Sequence, residues 1–203
     1  MNLGGQDGSF GKQTFSEDVL KLEVYGPDQE HFSVVDVPGI FRKATVGVTT
    51  KADLEMVRSM VSGYMKNPRS VMLAVVPANV DIATQEILTM AEEFDVEGVR
   101  TIGVLTKPDL VDAGAEGPVM DLVNGKKHKL NLGWYLVRNL GQLQLEGQNV
   151  DRGANEMAFF KQKEPWNYLD EDKVGIGSLR TRLQEVLASH IRREFPKVSP
   201  SGL

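Results

Sequence analysis

At 203 residues, with 41% hydrophobic and 25% charged side chains, the chain is long enough to bury the core of one ordinary domain and too apolar to be disordered. Lys and Arg (23) against Asp and Glu (28) leave a net charge of −5, which excludes a globally basic surface for nucleic acid or anionic lipid. The lack of cysteine excludes disulfides, thiolate metal sites and Cys nucleophiles, and it fits a reducing, cytoplasmic setting. No basic-then-apolar signal peptide opens the sequence, and no run approaches the roughly 18 apolar residues of a membrane span.

In chain order, residues 1–14 are Gly- and Gln-rich and predict a flexible leader. Asp18 to Val24 alternates, with Val19, Lys21 and Glu23 against Leu20, Leu22 and Val24, which predicts a half-buried strand. Gly26-Pro27-Asp28 is a turn, and Phe32 to Val35 reads as a second, buried strand that ends at Asp36, the pair forming an antiparallel hairpin. Residues 40–52 show no period and predict a loop of the length that usually moves or binds. A helix follows over Ala52–Lys66, with Leu54, Val57, Met60, Val61 and Met65 on one face.

Val71 to Pro77 is a continuous apolar run, the pattern of a central parallel strand buried on both sides. A helix over about Ala83–Phe94 leads to the next buried strand, Thr101–Leu105. Residues 115–130 predict a helix with Gly breaks, Trp134–Val137 a short strand and 151–163 another helix. The last helix is expected from Ser178, its N-cap, to about Phe195, with Leu179, Leu183, Val186, Leu187 and Ile191 inward. Strands alternating with helices make this an α/β fold with a mainly parallel sheet, here assigned to 15–198 with a tail at 199–203.

Two motifs carry chemistry. Asp36-Val37-Pro38-Gly39 follows a strand, at the edge where open α/β sheets bind ligands. Asp36 can hold Mg²⁺ directly or through water, and the Gly39 amide can approach a phosphate oxygen closely; an Asx-Pro turn is the plainer reading. Thr106-Lys107-Pro108-Asp109 follows the next-but-one strand. An ionised Asp accepts two parallel hydrogen bonds, and guanine offers a matching pair of donors where adenine presents an acceptor. Lys107 can lay its aliphatic stem along a base plane while its ammonium stays wet. Alone, this motif reads first as a strand-to-helix turn with an N-capping Asp. The two in this order, each after a buried strand, form the signature of a GTP-binding G domain.

Further runs sharpen the likeness. Val75-Val76-Pro77-Ala78-Asn79, Arg100-Thr101-Ile102-Gly103-Val104-Leu105-Thr106-Lys107 and His190-Ile191-Arg192, with Asp36 to Gly39, resemble the dynamin superfamily of large GTPases, nearest its fungal dynamin-like branch. The resemblance implies a P-loop NTPase-like G domain. By it Asp36 would serve the Mg²⁺ shell, Gly39 the γ-phosphate, and Lys107 and Asp109 of the Thr106 motif the guanine. The Asn139 to Gln142 region would face the far side of base and ribose, with Leu140 where the family often has a basic residue. It also implies GTP or GDP with Mg²⁺ as ligands and GTP hydrolysis coupled to membrane fission or organelle remodelling. The partners it implies are a second G domain and, peripherally, an organelle or vesicle membrane, with no nucleic acid.

No phosphate-binding G-x-x-x-x-G-K-[ST] occurs in the sequence. Gly11-Lys12 fails that pattern, because Gln13 follows the Lys and Gln6 stands where the first Gly belongs. The expectation is therefore a partial G domain without its first strand, phosphate loop and switch threonine, and with no catalytic residue of its own. Binding of nucleotide and Mg²⁺ is then weakened or lost, since the amides and Lys of that loop supply most of the charge stabilisation in phosphoryl transfer. The alternative is a non-catalytic interaction module or a truncated product. Such a chain should expose a sheet edge, an aggregation hazard. His31, His128 and His190 lack zinc-ligand spacing, and Gly125-Lys126-Lys127-His128-Lys129 is read as a solvated helix end.

Overall fold

The computed structural model describes residues 16, 18–27, 33–37, 50–141 and 151–194. The expected leader, the tail, Gly11-Lys12 and most of the 40–52 loop lie outside them. The chain divides into two compact units, Met1–Tyr64 and Met65–Leu203, each described here by itself.

In the first unit, helix α1 spans Lys51–Met65, one residue from the predicted bounds. Its start is a reciprocal cap. The Thr50 N–H and hydroxyl donate to the Asp53 carboxylate at 2.8 and 2.9 Å, and the Asp53 N–H donates back to Thr50 Oγ1 at 3.1 Å. Val57, Val61 and Met65 form its buried stripe. Among the described residues the expected hairpin is not formed. Residues 18–26 and 33–37 belong to no helix or strand, and their apolar side chains stand in solvent, Leu22 at 86% and Val34 at 78% exposure. Alternation alone makes no strand: a ladder partner and a covered face are needed, and an isolated hairpin is marginal in water.

Among its described residues the second unit holds a parallel sheet of three strands, β1 Met72–Pro77, β2 Thr101–Thr106 and β3 Trp134–Leu136, in the order β1-β2-β3. Met72 pairs with Thr101 and Pro77 with Thr106, while Gly103 pairs with Trp134 and Leu105 with Leu136. The helices of the described residues that accompany it are, in chain order, α2 Glu86–Phe94, α3 Gly117–Val123, α4 Arg152–Gln162 and α5 Gly175–Glu194. On one face Val76, Leu105, Trp134 and Leu136 pack with Val119, Leu122 and Val123 of α3, Phe160 of α4, and Trp166. On the other, Ile102, Val104, Tyr135 and Val137 pack with Leu179 and Val186 of α5. This is the helix-flanked parallel sheet that the strand-helix alternation predicted. No helix among the described residues is long and apolar enough to cross a membrane.

Coverage of the second face stops short of the edge. Leu73 and Val75 pair in register with Ile102 and Val104, so their side chains share the α5 face. Yet they are 42% and 51% exposed, against complete burial for Ile102. The expected exposed edge is β1, and it is buried on one side only.

Three helix boundaries differ from expectation, each for a local reason. The Asp81 carboxylate caps a separate 3₁₀ turn at Ile82–Thr84, accepting from the Ala83 N–H at 3.0 Å, so α2 begins only at Glu86. Helix α3 ends at Val123 rather than 130. Gly125 takes φ +67°, its N–H reaches the Leu122 carbonyl at 2.9 Å, and the Lys126 N–H reaches that of Asp121 at 2.8 Å. This is a Schellman stop, which residue 125 can adopt because it has no Cβ. Ser178 is not an N-cap. Helix α5 starts three residues earlier at Gly175, and the Ser178 hydroxyl donates to the Glu171 carbonyl at 2.8 Å.

Candidate functional site

Every strand of a parallel sheet presents its carboxyl end at the same edge, and register decides which loops become neighbours there. The Ala78 N–H donates to the Thr106 carbonyl at 2.7 Å and the Val137 N–H to the Leu105 carbonyl at 2.9 Å, so the pairing persists past the last strand residues. Thr106-Lys107-Pro108-Asp109 leaves β2 at this edge, and Arg138-Asn139-Leu140 leaves β3 beside it. Asn139 is exposed there and Leu140 half-buried.

Lys107 has φ +57° and ψ +46°, the left-handed region, a conformation that costs a residue with a Cβ about 1 kcal/mol. Pro108, buried and fixed near helical φ, then opens a 3₁₀ turn over Pro108–Leu110. The reversal leaves the Lys107 side chain exposed and places Asp109 inside the turn, not at its N-cap. The Asp109 side chain remains 32% exposed, and its Oδ1 lies 3.8 Å from Nε of Arg138. An acceptor-only group at this loop edge, with a long cationic side chain two residues before it, fits the donor edge and the face of a guanine.

Behind this pair lies support that the sequence motifs do not include. The Arg138 guanidinium donates to Oδ1 of Asn155 at 2.6 Å and stacks on the Phe159 ring at 4.8 Å. The Arg138 backbone N–H donates to Oε1 of Glu156 at 2.7 Å, and the other oxygen of that buried carboxylate accepts from the Ile176 N–H at 2.8 Å. One charged group thereby fixes the exit of β3 and caps α5, which explains where that helix begins. Gly175, at φ +83°, completes the turn, and a Cβ there would lie 3.5 Å from Glu156 Oε2. A signal was present: Glu156 sits four residues before buried Phe160, a polar side chain in the apolar phase of α4. Glu156→Gln turns an acceptor into a donor facing an N–H. It should lower stability by about 1–3 kcal/mol, read as a thermal midpoint several degrees below wild type.

The metal half of the expected site is a different matter. Asp36 lies in the first unit, exposed and outside any strand. Gly39 and Gln142 lie outside the described residues. No group of three or more His, Cys, Asp or Glu that could hold a metal is found among the described residues. One exposed carboxylate falls far short of the six-oxygen shell of Mg²⁺, so no chemistry is derived through that ion.

Residues 6–108 match the profile described as Dynamin family, and residues 118–200 match that of the Dynamin central region. The chain belongs to the dynamin family. Interferon-induced GTP-binding protein Mx1 of Mus musculus is 40% identical over 185 residues, which are 89% of this chain and 29% of that protein. Mx1 of Oncorhynchus mykiss is 37% identical over 186 residues, 90% of this chain and 30% of the relative. Mx2 of Canis lupus familiaris is 36% identical over 184 residues, 89% and 26%. The chain thus spans less than a third of these dynamin-family relatives. All three are vertebrate proteins, so they establish the family and not the fungal branch.

Proposed function

We propose that this dynamin-family chain binds a guanine nucleotide at the carboxyl edge of its sheet and forms part of a GTPase. The observation that carries the reading is the left-handed Lys107, a strained residue that brings its own side chain and the Asp109 carboxylate to one loop beside Asn139. Asp109 would accept from the ring N–H and exocyclic amine of the base, Lys107 would cover one face, and Arg138 would hold the Asp109 carboxylate in place. Support also comes from the three relatives, each named a GTP-binding protein. By the same family likeness, Gln142 with Asn139 would meet the far side of the ribose. For the whole protein, the family likeness extends the proposal to GTP hydrolysis coupled to membrane remodelling. It would act through paired G domains, in the cytoplasm and peripherally on membranes.

Calorimetric titration of the full chain with guanosine, GDP, GTP and adenosine in the presence of Mg²⁺ tests this. If the base loop carries the binding, the three guanine ligands should bind within about tenfold of one another, a spread of 1.4 kcal/mol, and adenosine at least tenfold more weakly. Equal affinity for adenosine and guanosine, or no heat with any ligand, overturns the assignment.

A further inference from the structure

The amino edge of the sheet, opposite the base loop, holds a cavity that plays no part in base recognition. Helix α3 stops at Val123, so residues 126–131 return across this edge as a loop instead of further turns of helix. The loop is tied at both ends. Trp134 Nε1–H donates to the His128 carbonyl at 2.7 Å. The Asn131 N–H donates to the Gly98 carbonyl at 3.1 Å, and its Nδ2 to the Glu97 carbonyl at 2.8 Å. Gly98 takes φ +62° there, and a Cβ on it would lie 3.3 Å from Leu130 Cδ2. Between this loop and α2 lies a cavity of about 270 Å³. Pockets for drug-sized ligands run from roughly 300 Å³ upward, so this one suits a small molecule and not a nucleotide.

Its floor is apolar. Leu88 and Ala91 line it from α2, Leu130 from the loop and Trp134 from the start of β3, while Val96, 86% exposed, carries the apolar surface out to the mouth. The charges are sorted by wall. Asp95 also lines the cavity, but its carboxylate already accepts from the Val99 and Arg100 N–H groups at 3.0 Å and from the Thr101 hydroxyl at 2.6 Å. Glu92 stands exposed on the α2 side, and Lys129 and the His128 ring stand exposed on the loop side. Lys126 and Lys127 lie 3.6 and 3.4 Å from Asp121, whereas among the described residues Glu92 and Lys129 have no ionic partner and do not reach each other. His128 also has φ +41°, a left-handed conformation that residues with a Cβ avoid, and such strain gathers at ligand clamps. One wall thus offers an acceptor and the other offers donors, with an apolar floor between them.

We propose that this cavity is a second ligand site and takes a small zwitterion with an apolar body, the chemistry of a branched or aromatic amino acid. The apolar group rests on Leu88, Ala91 and Trp134. The carboxylate meets Lys129 and the His128 ring, and the ammonium meets Glu92. Both Lys129 and Glu92 are long and exposed, so they can close on the two charges from opposite walls. A ligand with only one charge satisfies one wall and sets a like charge against the other. The site is separate from the base loop, because the six residues of β2 stand between them, a distance of about 17 Å.

Calorimetric titration of the full chain with four probes gives the test: L-phenylalanine, 3-phenylpropionate without the ammonium, phenethylamine without the carboxylate, and glycine without the ring. Phenylalanine should bind about threefold or more tightly than either singly charged probe, the scale of one exposed ion pair, and glycine should give no heat. Lys129→Ala should abolish the preference over phenethylamine, and Glu92→Gln the preference over 3-phenylpropionate. Both variants should melt like wild type, since both side chains are exposed. Excess guanosine should not displace phenylalanine. No heat with phenylalanine overturns the proposal. So do equal affinities for phenylalanine and the singly charged probes, variants with wild-type preferences, or displacement by guanosine.

Discussion

Gly103→Ala should unfold the sheet unit or lower its stability by about 3 kcal/mol or more, a large effect for a single methyl group. Gly103 is in the middle of the central strand and pairs in register with Trp134. A Cβ there would lie 2.2 Å from Cε3 and 2.3 Å from Cδ2 of the Trp134 ring, distances no real side chain tolerates. The ring has nowhere to retreat. Its Nε1–H donates to the His128 carbonyl at 2.7 Å, and Leu122, Leu136 and Phe160 pack in the same buried cluster. By thermal melt, a domain of this size should lose about 2–4 °C for each kcal/mol. Pairing the change with Trp134→Leu should recover part of the loss, because the smaller side chain removes the collision. The double variant should therefore be more stable than the sum of the two singles predicts. Strict additivity would show that the ring does move aside, and that Gly103 is not confined by it.

That collision illustrates which parts of the molecule were legible beforehand. Thr101 to Leu105 was read correctly as a parallel strand buried on both sides, whereas Val71 to Pro77, read as central and buried on both sides, is parallel but lies at the edge of the described sheet with Leu73 and Val75 in part exposed. That Asn139 belongs near the Thr106 to Asp109 loop came only from the family resemblance; in the structure the two loops leave neighbouring parallel strands at one edge. The alternation at Asp18 to Val24 was read as a half-buried strand and is instead exposed, because period-two patterning states which side chains could be buried and not what would bury them. Gly103 and Trp134, thirty-one residues apart, are joined by register, and Glu156 owes its importance to two N–H groups from distant segments. Such long-range pairings leave only a faint mark on local sequence. In Glu156 the mark was a charge in an apolar phase, and in Arg138 there was none beyond its place two residues after β3.

Asp109→Asn should exchange one base preference for another. If the Asp109 carboxylate reads guanine, it accepts from both the ring N–H and the exocyclic amine, two charge-assisted bonds each worth about 1.5–3 kcal/mol. An amide in its place keeps one acceptor and presents a donor where the amine already donates. Guanine affinity should then fall by roughly 100-fold or more, given 1.4 kcal/mol per factor of ten. Xanthine keeps the ring N–H but carries a carbonyl in place of the amine, so the same amide donor finds an acceptor there. The variant should therefore bind xanthosine in preference to guanosine, the reverse of wild type. Folding should hardly register the change, because Asp109 is one-third exposed and Arg138, 3.8 Å away, keeps Asn155 and the Phe159 ring. A melt within about 1 kcal/mol of wild type would separate loss of recognition from loss of structure. Equal loss of guanosine and xanthosine binding would mean that the carboxylate shapes the loop without reading the base. Unchanged guanosine binding would move the nucleotide away from the carboxyl end of β2 altogether.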